Sequence, residues 1–251
     1  WVGWPGLADV ELEPFEHRGF QLHPVRLSAA DVADYYEGFS NDTIWPLYHD
    51  VISAPSFDRG RWERYRAVNL QFAAAAARAA SHGATVWVHD YQLQLVPALL
   101  RELRADVRIG YFHHIPFPGY NLFAQLPWRE QVLRGLLGAD VIGFLRRGDV
   151  ANFRSAVERV CGLNASTSVI DVPGTPATVE HRALVRAFPI SIDVAATERL
   201  AEAAAERVPG LRAELGDPGV ILLGVDRLDY TKGISHRLQA IGELLDEGRL
   251  D

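Results

Sequence analysis

The chain has 251 residues, of which 48% are hydrophobic and 23% charged, the composition of a globular protein with material for one large domain or a domain and a fraction. Its formal net charge of -7 argues against a nucleic-acid partner, because a broadly basic face would leave an even more acidic remainder. The single cysteine, Cys161, excludes an internal disulfide and indicates a reducing compartment, so we expect the cytoplasm. No apolar run approaches the roughly 20 residues needed to span a membrane.

The first third of the chain combines an apolar start with helical signals. Trp1-Val2-Gly3-Trp4 is typical of the middle of a buried strand, and the chain contains no methionine, so we expect a fragment cut at both ends. Ser28-Ala29-Ala30-Asp31 resembles a capping box and predicts the start of a helix that carries Tyr35 and Tyr36. The alanine-rich residues 72–80 favour a helix that packs closely against a neighbour as part of the core.

Strands and helices alternate from residue 84 onward. The apolar patterns predict strands at residues 84–89, 107–113 and 140–144, and helices at residues 93–103, 128–137 and 149–161. These separations favour right-handed crossovers and a mostly parallel, doubly wound α/β sheet that is covered on both faces. Ligands of such sheets bind at the carboxyl ends of the strands.

The last third of the chain predicts a hairpin and a second domain. Residues 167–188 are rich in β-branched side chains, with Pro173-Gly174 as a turn, and residues 192–208 return to helix. Glycine and proline then interrupt the chain, so we place a domain boundary between residues 216 and 217, giving domains 1–216 and 217–251. A strand at residues 220–223 and a helix at residues 234–245 open the second domain.

Two cations, Arg227 and Lys232, lie in the connection between that strand and that helix. Helix amino termini carry unsatisfied N–H groups and a partial positive charge, so added cations suit a diphosphate, above all one that gains charge as it leaves. A solvated basic turn is the alternative, because two cations at this spacing have little specificity.

Candidate ligand-binding side chains follow two predicted strands. Asp90 ends the first, where it could contact a substrate or cap the helix that starts near Leu93. His113 and His114 end the next strand and should lie beside Asp90. Adjacent strand residues point to opposite faces, so at most one of the two histidines can enter a given pocket, and either could be hydrogen-bonded scaffolding. Their spacing matches no common metal-ligand pattern.

Tyr36 and Trp45 lie nine residues apart across a predicted turn at residues 40–42. Aromatic side chains with one polar tip suit sugar binding, although ordinary core packing is the alternative. Arg146, Arg147 and Asp149 follow the strand at residues 140–144, and we interpret them as surface charges, with a role in ligand binding left open.

Four blocks of this sequence resemble, in the required order, the trehalose-6-phosphate synthase family. These retaining glycosyltransferases move glucose from UDP-glucose onto glucose 6-phosphate. The blocks are Tyr35-Tyr36-Glu37-Gly38-Phe39-Ser40-Asn41 with Ile44-Trp45-Pro46, Val86-Trp87-Val88-His89-Asp90-Tyr91, Phe112-His113-His114-Ile115-Pro116-Phe117-Pro118, and Gly224-Val225-Asp226-Arg227-Leu228-Asp229-Tyr230-Thr231-Lys232-Gly233. The resemblance covers nearly the whole chain and weakens between about Asn164 and Arg186.

The resemblance implies a GT-B type fold. In that fold this chain holds a nearly complete, Rossmann-like, acceptor-binding amino-terminal domain, followed by the first strand and helix of the nucleotide-sugar domain. The family's glycine-rich donor loop would lie before Trp1 and most of the nucleotide-binding half after Asp251, so the fragment alone is expected to be inactive. No cofactor or metal is implied, the substrates are the expected partners, neither nucleic acid nor a membrane is expected, and a homo-oligomer is left open.

The resemblance also implies roles for single residues. Asp90 would hydrogen-bond the acceptor sugar, with a role as general base left open, and His114 would contact the transferred glucose. Ile115 would line the acceptor position. Tyr36 and Trp45 would lie in the glucose 6-phosphate pocket, with Tyr36 on the phosphate. Arg227 and Lys232 would bind the diphosphate of the nucleotide sugar. The expected mechanism is same-face substitution assisted by the leaving group. His113 departs from the family, which usually carries an apolar residue there.

Two alternatives remain at this point. One is a related glycosyltransferase or pseudo-glycosyltransferase with another sugar-phosphate acceptor or a pseudo-sugar donor, since acceptor choice rests on few residues. The other is a sugar-phosphate sensing module that binds without catalysing. The presence of Asp90, His114, Arg227 and Lys232 argues against the sensing module. Turnover of UDP-glucose and glucose 6-phosphate by the full-length protein separates the three hypotheses.

Overall fold

The computed structural model describes residues 1–50, 55–229 and 232–250. The chain forms two compact units, Trp1–Ile190 and Ser191–Asp251. The predicted domain boundary between residues 216 and 217 falls inside the second unit and stays a prediction.

The first unit begins with a small sheet of three strands in the order β1-β3-β2. β1 (Val2–Gly3) pairs parallel with β3 (Phe20–Pro24), and β3 pairs antiparallel with β2 (Phe15–His17). The expectation of a buried opening strand is wrong, because β1 has only two residues and Trp1 is 78% exposed. β1 lies at the edge of its sheet, so among the described residues only one of its sides pairs with another strand.

The predicted capping box is confirmed at the start of α1 (Ala29–Asp31). The Ser28 hydroxyl accepts a hydrogen bond from the Asp31 N–H at 3.1 Å, and the Asp31 carboxylate accepts one from the Ser28 N–H at 2.9 Å. The chain then continues as a π-helix over Val32–Ile44 and as α2 (Trp45–Tyr48). The predicted turn at residues 40–42 is therefore wrong, since these residues lie within the π-helix and the Ser40 carbonyl accepts a bond from the Trp45 N–H.

The alanine-rich stretch lies in α3 (Arg59–Ala79), where Ala73, Ala75 and Ala76 are buried as predicted. Close helix packing recurs where α4 (Val96–Leu103) meets the end of α6 (Arg129–Leu137). A Cβ atom on Gly138 would lie 2.3 Å from the Ala98 Cα, so only glycine permits this approach.

The main sheet has five strands in the order β4-β5-β6-β8-β7. They are β4 (Thr85–His89), β5 (Arg108–His113), β6 (Val141–Phe144), β8 (His181–Ala187) and β7 (Val169–Val172). The first four run parallel, whereas β7 pairs antiparallel with β8. The predicted mostly parallel sheet and the predicted hairpin are confirmed. The other helices of this unit are short or bordered by irregular turns: a 3-10 turn at Tyr91–Leu93, α5 (Tyr120–Phe123), and α7 (Arg147–Ala156) with a π-helical extension over Val157–Cys161.

One face of this sheet is covered by the helices and the other is open within the described first unit. Val88, Ile109 and Ile142 point into the core, whereas their neighbour Trp87 is 65% exposed. The open face carries a groove of about 410 Å³ whose lining includes Trp87, Gly110, Phe112, Gly143 and Phe188. Within the described first unit, the predicted helical cover is therefore seen on one face of the sheet. Strands β4, β5, β6 and β8 succeed one another in a single direction, so right-handed crossovers place their helices on one face.

The second unit contains α8 (Val194–Ala204), a 3-10 turn at Ala205–Arg207, α9 (Val208–Glu214) and α10 (Ile234–Asp246). Helix α10 and the helix after residue 192 are confirmed. The predicted strand at residues 220–223 is wrong, because these residues have no regular structure and Leu223 is 84% exposed. A strand needs a neighbour for its backbone hydrogen bonds, and the described residues of this unit supply none. Across the described chain, no helix has the length and apolar character to cross a membrane.

Candidate active site

Strands β4 and β5 end side by side and bring the predicted residues Asp90 and His114 together. His89 is paired with Phe112 in the parallel register, and the Asp90 N–H donates to the Phe112 carbonyl at 2.8 Å. Asp90 and His114, the residues that follow β4 and β5, therefore lie at the same edge of the sheet, where parallel sheets bind their ligands.

The Asp90 carboxylate bridges the two strand ends. Its Oδ1 atom accepts hydrogen bonds from the backbone N–H of Tyr91 at 2.9 Å and of His114 at 3.0 Å. The capping interpretation is thus confirmed, for the 3-10 turn that starts at Tyr91. Burial raises the pKa of Asp90, and the two N–H donors oppose that effect by favouring the ionised form. Within the described residues Oδ2 makes no hydrogen bond, so capping and ligand binding can use different oxygens of one carboxylate.

The backbone of Asp90 is strained. Its φ of 72° and ψ of 173° fall in a region that glycine adopts readily and other residues rarely do. Such a conformation costs roughly 1–3 kcal/mol and persists only where the surroundings hold it, most often at a ligand site. Here the hydrogen bonds of the carboxylate hold it.

His114 is exposed at this edge, and its ring is held by a residue that the sequence did not single out. His114 Nε2 lies 2.9 Å from Nδ1 of His89, and the two rings stack with centroids 5.2 Å apart. Burial lowers the pKa of His89, and the neighbouring His114 adds to the effect. The available signal was strand alternation, which places His89 on the open face with Trp87 and next to Asp90 in sequence.

His113 points to the opposite face, which confirms that only one of the adjacent histidines reaches this edge. Its side chain is fully buried among Tyr48, Phe117 and Phe144, and its Nδ1 lies 2.9 Å from the Tyr111 hydroxyl. Burial lowers the pKa of His113 to about 3, so the imidazole is neutral at physiological pH. His113 is therefore part of the core rather than of the site.

Trp45 reaches the site through Tyr91. The two rings lie 5.5 Å apart, and the Tyr91 hydroxyl donates to Oδ1 of Asn41 in the π-helix at 2.9 Å. The residue after Asp90 is thus tied to the π-helix that carries Tyr36 and that continues into α2, which begins with Trp45. Sequence reasoning missed Asn41, although it lies inside the first family-like block.

Two other acceptor-side residues have more ordinary surroundings. The ring of Tyr36 packs against Trp4 with centroids 5.3 Å apart. Ile115 is only 6% exposed and its side chain packs in the hydrophobic core. The predicted roles of both in acceptor binding stay predictions.

The charges after β6 divide into two kinds. Arg146 and Arg147 are exposed, as expected of surface charges. For Asp149 that interpretation is wrong, since the residue is buried and its Oδ1 accepts from the Phe117 N–H at 3.2 Å. The carboxylate thus holds the loop after β5 in place through Phe117, which lies 32 positions away in the sequence.

Arg227 and Lys232 belong to the second unit. Both are exposed, and they precede α10. The residue before this helix, Gly233, has a φ of 62°. The Lys232 N–H donates to the Asp229 carbonyl at 3.0 Å, and Arg237 of the helix pairs with Asp226. Residues 230 and 231 of this block lie outside the described residues. The predicted diphosphate contact stays a prediction. Over residues 1–50, 55–229 and 232–250, no three histidine, cysteine or acidic side chains cluster as metal ligands would.

Comparisons with known proteins agree across the chain. Residues 1–249 match the model of glycosyltransferase family 20. A trehalose-6-phosphate synthase from Mycolicibacterium smegmatis is 55% identical over all of this chain and 51% of its own length, and one from Mycolicibacterium gilvum is 54% identical over all of this chain and 52% of its own length.

Solved structures match the fold. A UDP-forming alpha,alpha-trehalose-phosphate synthase from Burkholderia xenovorans superposes with a TM-score of 0.85 at 31% identity, over 99% of this chain and 55% of that one. A trehalose-6-phosphate structure from E. coli with bound UDP-2-fluoro glucose superposes with a TM-score of 0.81 at 29% identity. The match covers 98% of this chain and 54% of that one. The predicted α/β fold is confirmed, and it matches the amino-terminal half of these GT-B structures. The chain spans about half the length of the relatives it matches. Its sequence over residues 1–249 and its fold together show that it belongs to glycosyltransferase family 20.

Proposed function

We propose that the protein containing this chain is a trehalose-6-phosphate synthase, which transfers glucose from UDP-glucose to glucose 6-phosphate with retention and releases UDP. The observation that carries the proposal is the 55% identity to the Mycolicibacterium smegmatis synthase along the whole chain. Two solved relatives support the substrates, since one from Burkholderia xenovorans is in complex with glucose 6-phosphate and one from E. coli is bound with UDP-2-fluoro glucose.

The acceptor is proposed to lie at the ends of β4 and β5. Oδ1 of Asp90 serves two backbone N–H groups, so Oδ2 is the atom that would accept a hydrogen bond from an acceptor hydroxyl. Trp45, packed on Tyr91, would flank the same sugar, and Tyr36 would bind the phosphate. A phenol and an indole offer an apolar face and one polar group each, which suits sugar binding.

The donor glucose would contact His114, and its diphosphate would contact Arg227 and Lys232. The departing UDP gains negative charge, and fixed cations stabilise that charge more strongly in the transition state than in the ground state. The reaction is proposed to follow the same-face path assisted by the leaving group, and Asp90 is proposed to bind and orient the acceptor. The proposed compartment is the cytoplasm, in keeping with the free thiol of Cys161.

The full-length protein should form trehalose 6-phosphate from UDP-glucose and glucose 6-phosphate, with UDP released in equal amount. NMR of the product identifies the linkage and the retained configuration. Asp90→Asn should lower the rate strongly, whereas Asp171→Asn, which changes an exposed carboxylate on β7, should leave it unchanged. Binding of both substrates without product would refute the enzyme and support a sensing module. Product formation only with another sugar phosphate would support a related transferase.

A further inference from the structure

We propose that His89 is a positioning residue that holds the ring of His114 through Nε2 and leaves Nδ1 of His114 to face the ligand. The inference rests on the proposed function, because the ligand is taken to be the transferred sugar. The contact itself is a 2.9 Å approach of His89 Nδ1 to His114 Nε2. It joins the carboxyl ends of two parallel strands, across 25 positions of sequence.

Several neighbours constrain this pair. The ring of His89 lies 4.5 Å from Trp87, and the ring of His114 lies 4.7 Å from Phe112, in each case measured between centroids. The backbone N–H of His114 is held at the same time by the Asp90 carboxylate at 3.0 Å. The exposed imidazole is therefore fixed at its backbone, on its ring face and at one nitrogen, which is far more than an unconstrained surface histidine would show.

The hydrogen bond determines which nitrogen is available. One proton lies between Nδ1 of His89 and Nε2 of His114, because two protonated nitrogens would present two donors to each other. When His89 donates, a neutral His114 carries its proton on Nδ1 and can donate to a sugar oxygen. When His114 donates, its Nδ1 is an acceptor for a sugar hydroxyl. In both cases Nδ1 is the nitrogen left for the ligand.

The position of His89 suits this task. It is half-buried at the end of β4, and together with the exposed His114 it lines the groove of the open sheet face. A misplacement of about 1 Å in a group that contacts a reacting substrate can cost on the order of a hundredfold in rate. A residue that fixes the His114 ring therefore affects turnover without touching the substrate itself.

Two variants in the full-length protein separate hydrogen bonding from packing. His89→Asn keeps a side-chain amide near the position of Nδ1 and loses the ring, whereas His89→Phe keeps a ring against Trp87 and loses the hydrogen bond. We expect His89→Phe to lower kcat at least about tenfold with a small change in the KM for glucose 6-phosphate, and His89→Asn to stay within about threefold of the parent. The reverse order, with Phe better than Asn, would show a packing role and overturn the inference.

A second measurement does not depend on activity. In the full-length protein labelled with ¹⁵N-histidine, two-bond ¹H–¹⁵N spectra report the protonation of each ring nitrogen. We expect one defined tautomer for His114 in the parent chain and an averaged tautomer in His89→Phe. Identical His114 signals in the two chains would overturn the inference. If the parent full-length protein is inactive, the proposed function fails, while these spectra still decide whether His89 orients His114.

Discussion

In the double variant Tyr111→Phe/His113→Leu, we expect the first unit to lose a pH dependence of stability that the parent chain shows. The His113 imidazole is fully buried and its pKa lies near 3, against 6.5 for an unperturbed histidine. The unfolded chain therefore binds a proton below about pH 6.5, whereas the folded chain does not until about pH 3. Because the unfolded state binds more protons in this window, stability falls as the pH falls through it.

The magnitude follows from those two values. Each pH unit within the window corresponds to about 1.4 kcal/mol, and the onset near 6.5 is gradual, so the free energy of unfolding should drop by about 2 kcal/mol between pH 7 and pH 5. The double variant removes the imidazole together with the Tyr111 hydroxyl that bonds it, so that hydroxyl is not left buried without its partner. Its stability should lack this 2 kcal/mol component.

Urea unfolding at pH 7 and at pH 5, followed by tryptophan fluorescence, measures this difference in the right part of the molecule. All six tryptophans lie in the unit Trp1–Ile190, so the signal reports on that unit alone. His17→Gln, which changes an exposed histidine, is the matched control and should retain the pH dependence of the parent. Equal losses of stability in the parent and the double variant between pH 7 and pH 5 would refute the reasoning.

Three further perturbations test the packing, the strained backbone and the donor site. Gly138→Ala should destabilise the first unit by about 3 kcal/mol or more, because the new Cβ would lie 2.3 Å from the backbone of Ala98. Gly148→Ala is the control and should be neutral or slightly stabilising, since no atom lies within 4 Å of its new Cβ. Equal urea midpoints for the two variants would contradict this prediction. The Asp90→Gly variant should be more stable than Asp90→Ala by about 1 kcal/mol or more, since both lose the carboxylate and only glycine relieves the strained backbone. At the control position Ala151 in α7, alanine should instead be more stable than glycine. Thermal unfolding measures both differences, and an advantage of alanine at residue 90 would argue against strain. In the full-length protein, Arg227→Ala or Lys232→Ala should lower kcat with UDP-glucose by about a hundredfold. Arg199→Ala, which changes an exposed arginine, is the control and should leave kcat unchanged. An unchanged rate of the Arg227 and Lys232 variants in a UDP-release assay would rule out their proposed role on the diphosphate.

Local patterns in the sequence predicted most of the first unit. The strands at residues 84–89, 107–113 and 140–144 and the helices between them appear within a few residues of their predicted bounds. The Ser28–Asp31 capping box is confirmed as well. These features depend on groups close together in sequence, namely the alternation of apolar side chains and the capping of nearby N–H groups, so a single sequence contains their whole cause.

Predictions that needed a distant partner were less successful. The strand predicted at residues 220–223 has the right composition, but the described second unit offers no strand beside it. Asp149 has the sequence context of a surface charge, and only its contact with the Phe117 N–H explains its burial. The π-helix over Val32–Ile44 likewise has no simple local signature.

For the site, the sequence alone determined which residues end the parallel strands, and so it placed Asp90 and His114 at one edge of the sheet. It also assigned the family through its four blocks. Only the tertiary structure determined that His89 contacts His114, that His113 is buried in the core, and that Asp90 adopts a strained backbone. The physical reason is that strand order and side-chain alternation follow from local periodicity, whereas hydrogen-bond partners, burial and pKa depend on which distant segments the fold brings together.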